Sequence, residues 1–282
     1  MLYVIIPTFR NFNQTRSFVR DVAVGISSEF IIVDDAGTYP VWQQELGRKV
    51  HVIKGTGDLW WVGSVNLAIS FLINQIRPSS DAICVIANQD VRIKATSINN
   101  LIRAAEMRPL RILHPITYDL QNNIVSSGSR VITWVPYITY HPLSFNYSFE
   151  KILLGTARFL VMKIEILIKV SQVNPRLKQY QGDNDLTMKA SRLGIGTYIM
   201  RDAECQVDMK TTGLRYWNIK SLDSFLDSFK SIKSPWNTTY RYRFLRNYFG
   251  TISTGIILSF MLLNTILKFF ISRMKFLVTG NR

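Results

Sequence analysis

Residues suited to metal or redox chemistry are scarce in this 282-residue chain, which holds two cysteines, Cys84 and Cys205, and three histidines, His51, His114 and His141. None stands in a C-x-x-C or H-x-x-x-H spacing, which argues against a zinc site. Both thiols lie among apolar residues and read as core positions in a reducing compartment. Acidic residues are also few, 19 Asp and Glu against 34 Lys and Arg, for a formal charge of +15. With 19% charged and 47% hydrophobic residues, the composition excludes global disorder. The first apolar run, Leu2-Tyr3-Val4-Ile5-Ile6, has no basic segment before it and no cleavage site after it, and is too short for a signal peptide. A cytoplasmic location is expected for the main body.

A chain of this length buries one large core, or one core with a small appendage. Apolar runs at Leu2–Ile6, Phe30–Val33, Val50–Ile53, Ala82–Ala87 and Arg111–Leu113 read as strands. Helical patterns near Gln14–Gly25, Gly63–Ile76 and Thr96–Met107 lie between them. This alternation predicts a mainly parallel, doubly wound α/β sheet. Leu2–Ile6, Phe30–Val33 and Ala82–Ala87 are continuously apolar, as strands covered on both faces are. A turn at Tyr118–Asn123 predicts a hairpin excursion. From Ile152 a short strand, a helix near Ile164–Ser171, a second helix from about Asp183 and a strand at Thr197–Met200 follow. A boundary near Met209–Gly213 divides a domain over 1–212 from a helical tail over 213–282.

Ligands of open α/β sheets bind beyond the carboxyl ends of the strands. Four successive strands end there in Pro7-Thr8-Phe9-Arg10-Asn11, Asp34-Asp35-Ala36-Gly37-Thr38, the loop Gly55–Gly63 and Asn88-Gln89-Asp90. Singly, each has a plainer reading: Asp34-Asp35 and Asp90 as turn formers, Trp60-Trp61 as packing. Together they point to a site at one sheet edge.

These segments, in this order and spacing and with Asn66, resemble the nucleotide-binding half of family-2 glycosyltransferases, inverting enzymes of the GT-A fold. The Gly57-Asp58-Leu59-Trp60-Trp61 loop resembles the bacterial rhamnosyltransferase-like branch. Gly155-Thr156 and Tyr180-Gln181-Gly182-Asp183-Asn184-Asp185-Leu186 are similar to the acceptor-side motifs. Ser234-Pro235-Trp236-Asn237 through Arg246-Asn247 resembles the C-terminal extension. The resemblance covers roughly residues 2–250, and it divides the domain into a nucleotide-sugar half over about 1–115 and an acceptor half over about 116–212.

The resemblance implies a dTDP- or UDP-sugar donor bound by Pro7, Thr8, Arg10, Asp34, Asp35, Gly57, Trp60, Asn66, Asn88 and Gln89. It implies Mg²⁺ or Mn²⁺ at Asp90, where a divalent cation offsets the charge of a diphosphate leaving group. Asp183 takes the place of the general base, supported by Asp185 and Trp61, its pKa raised by burial or by Asp185. The plainer reading of Asp183 and Asp185 is an acidic helix N-terminus, compatible with catalysis. Three positions depart from the pattern: Phe9-Arg10-Asn11 replaces Tyr-Asn-Arg, Gln89 leaves one carboxylate beside Asp90, and Gly182 stands where Glu is frequent. The implied acceptor is lipid-linked or a growing polysaccharide, such as an O-antigen or capsule unit. A nucleotide-sugar-binding module without catalysis is the alternative.

From Met209 to Arg282 there are twelve Lys/Arg against two Asp, a net of +10. Basic and aromatic residues mix at Tyr240–Tyr248, a pattern also found in binders of single-stranded nucleic acid. No charge occurs from Phe249 to Leu267. On a helical wheel Asn264, Lys268, Ser272 and Lys275 cluster with Thr265, opposite Ile256, Phe260, Leu263, Leu267 and Phe270. A broad apolar face beside a lysine stripe predicts a helix lying on an anionic bilayer rather than a nucleic-acid partner. Packing of that face on protein is the alternative. The expected location is thus peripheral, at the inner face of the cell membrane.

Overall fold

In the computed structural model the described residues are 1–23, 26–37, 49–125, 127–142, 144, 147–209, 219 and 221–279. Thr38, Gly25 and most of the expected 209–213 boundary lie outside them. In chain order the elements are β1 (Leu2–Thr8), α1 (Phe12–Ala23), β2 (Ser28–Asp34), β3 (Val50–Lys54) and α2 (Trp60–Phe71), which a π turn extends over Leu72–Ile76. Next come β4 (Ile83–Ala87), β5 (Val91–Ile93), α3 (Ala95–Met107), β6 (Arg111–Asp119), β7 (Ile124–Val125), β8 (Gly128–Thr133) and β9 (Ile138–Tyr140). The remainder are β10 (Phe149–Ile152), β11 (Leu154–Gly155), β12 (Phe159–Lys163), α4 (Ile164–Val170), α5 (Gly182–Arg192), β13 (Gly196–Val207), α6 (Leu222–Ser228), α7 (Thr238–Arg246) and α8 (Thr251–Thr279).

One sheet carries the domain, in the order β10-β13-β6-β12-β4-β1-β2-β3, with β5 on β13 and β7 on β6. β4-β1-β2-β3 are parallel, as the strand–helix alternation predicts. β12, however, runs antiparallel between β4 and β6. Hydrophobic pattern reports burial, and Phe159–Met162 are all buried, but it carries no direction. The reversal has a functional consequence, because β12 starts at the edge where β4 ends: Phe159 pairs with Ala87. The hairpin expected after Tyr118 is β6–β7, closed by Asp119, whose Oδ1 accepts the Gln121 and Asn123 N–H groups.

Alternation along β1 sends Leu2, Val4 and Ile6 to a core under α1 and α3. Tyr3 and Ile5 enter the opposite core, which α2, α4, α5, α7 and α8 cover. α8 buries Thr254, Ile257, Met261, Thr265 and Phe269. Its attachment includes a stacked Phe225–Phe269 pair with centroids 4.0 Å apart and the Arg241 guanidinium donating to Thr265 Oγ1 at 3.3 Å. Ile252, Ile256, Phe260, Leu263, Leu267, Phe270 and Met274 point outward. The side on which Asn264 and Thr265 lie is therefore the side that meets the protein, while Lys268 remains exposed. Thr265, expected on a solvated stripe, is buried.

Candidate active site

β1, β2 and β3 finish level with one another, since Thr8 pairs with Asp34 and Asp34 with Lys54. Pro7 lies within the buried body of β1, opposite Val33. Thr8, 3% exposed, shares a hydrogen bond with Thr15 at 3.0 Å. Asp34 is buried and its Oδ1 accepts the Ala36 N–H at 3.1 Å. Asp35, also buried, organises the neighbouring loop. Its Oδ1 accepts from Gly57 at 2.8 Å and Leu59 at 3.2 Å, and its Oδ2 from Trp60 at 3.0 Å. Three amide donors on one carboxylate are strong, charge-assisted bonds. They hold Gly57 at φ +91° and Trp60 at φ +57°, the latter an uncommon conformation for a non-glycine residue. A Cβ on Gly55 would lie 2.6 Å from Asp35 Oδ1, so the loop closes onto Asp35 only with glycine there. Farther out, the Trp60 indole N–H donates to Asp58, which also binds Lys178.

From this loop the Trp61 side chain crosses to the next strand end, its indole N–H donating to Asn88 Oδ1 at 3.1 Å. The other flank of Trp61 meets the start of α5. A Cβ on Gly182 would lie 2.5 Å from Val62 Cγ2 and 2.9 Å from Trp61 Cζ3. That crowding accounts for glycine where Glu is frequent in the similar motif. Asp183 follows in the first turn of α5, partly buried, with Asn184 N–H on its Oδ1 at 2.9 Å. Burial raises its pKa; the backbone donors of Asn184, Ala157 and Asp183 and the charge of Arg158 act in the opposite sense.

Asn88 donates its N–H to the Arg158 carbonyl at 3.1 Å, so the turn before β12 lies beside the end of β4. Arg158 acts electrostatically on Asp183, His114 and Cys205. His114, fully buried, has its pKa lowered to about 4 by burial. Its ring is fixed in place by Pro115 O at 2.6 Å and Thr156 Oγ1 at 2.8 Å, contacts that act against that lowering without outweighing it. Burial raises Cys205 to about 11 and pushes Cys84 up as well, so both thiols are inert core groups. Gln89 and Asp90 form the turn after β4 and are partly buried. β5 follows at once, with Val91 opposite Val207 in antiparallel register. Asp90 immediately precedes β5 and Asp208 immediately follows β13, so the two flank the same end of this pairing. Two carboxylates at that end, with a diphosphate, would make a donor set that suits Mg²⁺. Among the described residues no cluster of three or more His, Cys, Asp or Glu provides a cage independent of substrate.

Asp35, Trp61, Asn88, Arg158 and Asp183 thus form one connected edge, with Asp34 and Asp90 at two of its strand ends. Two residues fall outside it. Asn66 has its amide committed to Val173, Nδ2 to the carbonyl at 2.9 Å and Oδ1 to the N–H at 2.8 Å, and acts as a buried clasp. Asp185 does not face Asp183; a helix turns ~100° per residue, and two residues on it is buried. It accepts from Asn174 N–H at 2.8 Å and Tyr248 OH at 2.8 Å and pairs with Lys189 at 3.2 Å. Arg10 stays at the edge, two residues past the end of β1, exposed and at φ +57°, with its guanidinium 5.1 Å from the Phe9 ring centroid. Arg158 and Asp208, in turn, are absent from the sequence-derived set. Arg158 lies two residues past Gly155-Thr156, and Asp208 follows a strand whose length, to Val207, exceeds the Thr197–Met200 expected.

No family model and no curated protein sequence matches the chain. Among solved structures it is similar to the crystal structure of GalNAc-T7 with UDP, GalNAc and Mn²⁺, at 10% identity and a TM-score of 0.59, over 86% of this chain and 50% of that one. It is also similar to S. aureus TarS, at 13% identity and a TM-score of 0.50, over 89% of this chain and 44% of that one. The chain spans about half the length of these proteins. At such identities the likeness is one of fold: this is a GT-A-type glycosyltransferase fold with a C-terminal helical extension.

Proposed function

We propose that the chain is an inverting glycosyltransferase of the family-2 kind. It moves a hexosyl group, with rhamnose the first to test, from a dTDP- or UDP-sugar to a lipid-linked or polysaccharide acceptor. The observation that carries this reading is Asp183: a carboxylate with a raised pKa, set by Trp61 and Gly182 beside the edge formed by Asn88 and Arg158, in a GT-A-type fold. A base of that kind accepts the proton of an acceptor hydroxyl as its oxygen bonds to the anomeric carbon. The bond from that carbon to the diphosphate breaks in the same displacement, so the configuration inverts and no glycosyl–enzyme bond forms. The negative charge passes to the nucleoside diphosphate. Arg158 supplies fixed positive charge next to it. Asp90, with Asp208, would hold Mg²⁺ or Mn²⁺, which when bound adds Lewis-acid stabilisation of the diphosphate. Thr8 and Asp34 would face the nucleoside, and the loop clamped by Asp35 the donor's sugar diphosphate.

α8 supports a membrane location. Over Thr251–Met274 its mean hydropathy is 1.9, which by length and composition suffices to cross a bilayer. Crossing would detach Phe269 and Thr265 from α6 and α7, whereas lying flat keeps those contacts and covers the outward apolar face. The proposed seat is therefore peripheral, at the inner face of the membrane.

The test is release of nucleoside diphosphate by the full chain from a panel of dTDP-, UDP- and GDP-sugars with Mn²⁺ and a glycolipid acceptor mixture. Turnover with one donor, lowered about 10²–10⁴-fold by Asp183→Asn with donor binding retained, is the expected result. Donor binding without any product would make the chain a non-catalytic module, and turnover indifferent to Asp183→Asn would remove the assigned base.

A further inference from the structure

Behind the C-terminal end of α5, away from Asp183, is a cavity of about 600 Å³. Lys169, Arg176, Lys189 and Arg192 contribute to its lining, together with Asn174 and Tyr248, and no lining residue is acidic. Two carboxylates adjoin the lining: Asp185, fully buried beneath, its oxygens already engaged by Asn174, Asn247, Tyr248 and Lys189, and Glu165, 4.0 Å from Lys169 in a partly exposed pair; Arg176 and Arg192 have no carboxylate partner among the ion pairs of the described residues. Arg192 is braced by donation to Tyr248 O at 2.8 Å and by stacking 4.7 Å from the Tyr248 ring centroid. The cavity is thus a pre-formed cationic bowl rather than a spray of surface lysines.

Its surroundings are apolar. Leu193 on the lining is 54% exposed, and Ile168, next to Lys169, is 49% exposed. Tyr248 precedes the first residue of α8 by three positions, a chain length of roughly 10 Å. The outward face of α8 opens there with Ile252, 81% exposed. A basic bowl with an apolar rim, continuous with an apolar helix face, has the chemistry of the interface between lipid headgroups and acyl chains.

We propose that this cavity binds the phosphate of an anionic phospholipid headgroup and that, together with the outward face of α8, it seats the protein on the bilayer. This rests on the membrane location proposed above. Asp183 and Arg192 are nine residues apart on α5, so the base would stand about 14 Å from the headgroup site along the helix. A membrane-tethered acceptor would then be delivered to the base from a fixed direction.

The experiment is flotation of the full chain with phosphatidylcholine vesicles, with and without phosphatidylglycerol. Lys169→Glu/Arg176→Glu reverses two cavity charges that are exposed, and Arg20→Glu/Arg103→Glu makes the same change in total charge on the opposite face of the sheet. Each cation near an anionic leaflet is worth roughly fivefold in partitioning, so the cavity variant is expected to lose about 25-fold or more on phosphatidylglycerol vesicles. The opposite-face variant should lose less than about threefold, and Leu263→Asp/Leu267→Asp should detach the protein from both vesicle types. Equal losses in the two charge variants, or no loss in the cavity variant while the α8 variant detaches, would overturn the headgroup site and leave the membrane location standing. Cavity binding of inorganic phosphate with unchanged vesicle affinity would likewise assign it to a free anion instead. Wild-type protein that floats with neither vesicle would defeat site and location together.

Discussion

Gly182→Ala is the sharpest probe of how Asp183, the proposed base, is held. The added methyl would sit 2.5 Å from Val62 Cγ2 and 2.9 Å from Trp61 Cζ3, where ordinary contact begins near 3.4 Å. Val62 cannot give way, because it is fully buried, its N–H is bonded to Lys178 O at 2.9 Å and its β-branched side chain is stiff. Trp61 is tied through its indole to Asn88. The start of α5 must therefore move, by up to about 0.9 Å, and Asp183 with it; a displacement near 1 Å at a reacting group costs about 10²-fold. Overpacking of this kind also costs about 1–3 kcal/mol of stability. Urea denaturation and steady-state turnover measure the two effects separately. Val62→Ala removes the clashing methyl, so Gly182→Ala/Val62→Ala should regain part of both losses, with a coupling of about 0.5–3 kcal/mol between the sites. Unchanged midpoint and turnover in Gly182→Ala, or additive losses in the double variant, would refute the close approach on which the placement of Asp183 rests.

Because burial raises the Asp183 pKa, turnover should rise with pH through a value above the ordinary Asp range, and that limb should vanish in Asp183→Asn. The same shift has a stability counterpart: the folded wild type holds the proton more tightly than the unfolded chain. Its stability advantage, present below the ordinary Asp pKa, is lost as pH rises through the folded pKa, so Asp183→Asn should unfold later than wild type above that window and not below it. Asp35→Ala deprives the Gly57, Leu59 and Trp60 amides of their shared acceptor; a loss of about 2–4 kcal/mol and a raised donor KM are expected, read by denaturation and kinetics. Asp185→Ala leaves Lys189 and the Tyr248 hydroxyl without their buried partner and should cost about 3–5 kcal/mol by denaturation. Where Asp185→Ala protein remains folded, its pH–rate profile should keep the wild-type apparent pKa; a shift would show that Asp185 acts on the base after all.

Most elements were legible because their periodicity is strong: the buried runs of β1, β2 and β4 and the helices between them lie within a few residues of expectation. What a pattern of burial cannot convey is direction and partner. β12 reads as a buried strand in either sense, and only its pairing with Ala87 brings Arg158 to the site. Asn66 and Asp185 have residue types that suit a ligand as well as a clasp, and their commitment to Val173 and Tyr248, 107 and 63 positions away, depends on tertiary contact alone. Asp208 follows a strand end, as Asp34 does, but that signal was lost with the true length of β13, whose later residues alternate buried and exposed in its pairing with β5 and β6.

α8 turns the same distinction into a statement about solvent. Periodicity alone separates its apolar face from the side bearing Asn264, Thr265 and Lys268; for a helix in water the apolar face would go inward. The opposite happens because the body offers α8 specific polar partners as well as apolar ones. Arg241, nearly buried, donates to Pro235 O and Thr265 Oγ1, and its pKa is lowered to about 10 by burial. Rolling the helix to hide Ile256, Phe260 and Leu263 would strip that guanidinium of a partner and break the Phe225–Phe269 stack. A buried cation left unsatisfied costs several kcal/mol, which opposes the roll. The outward apolar face is thereby fixed by contacts on the helix's other side, and in the peripheral seat proposed above a lipid surface would satisfy both sides at once.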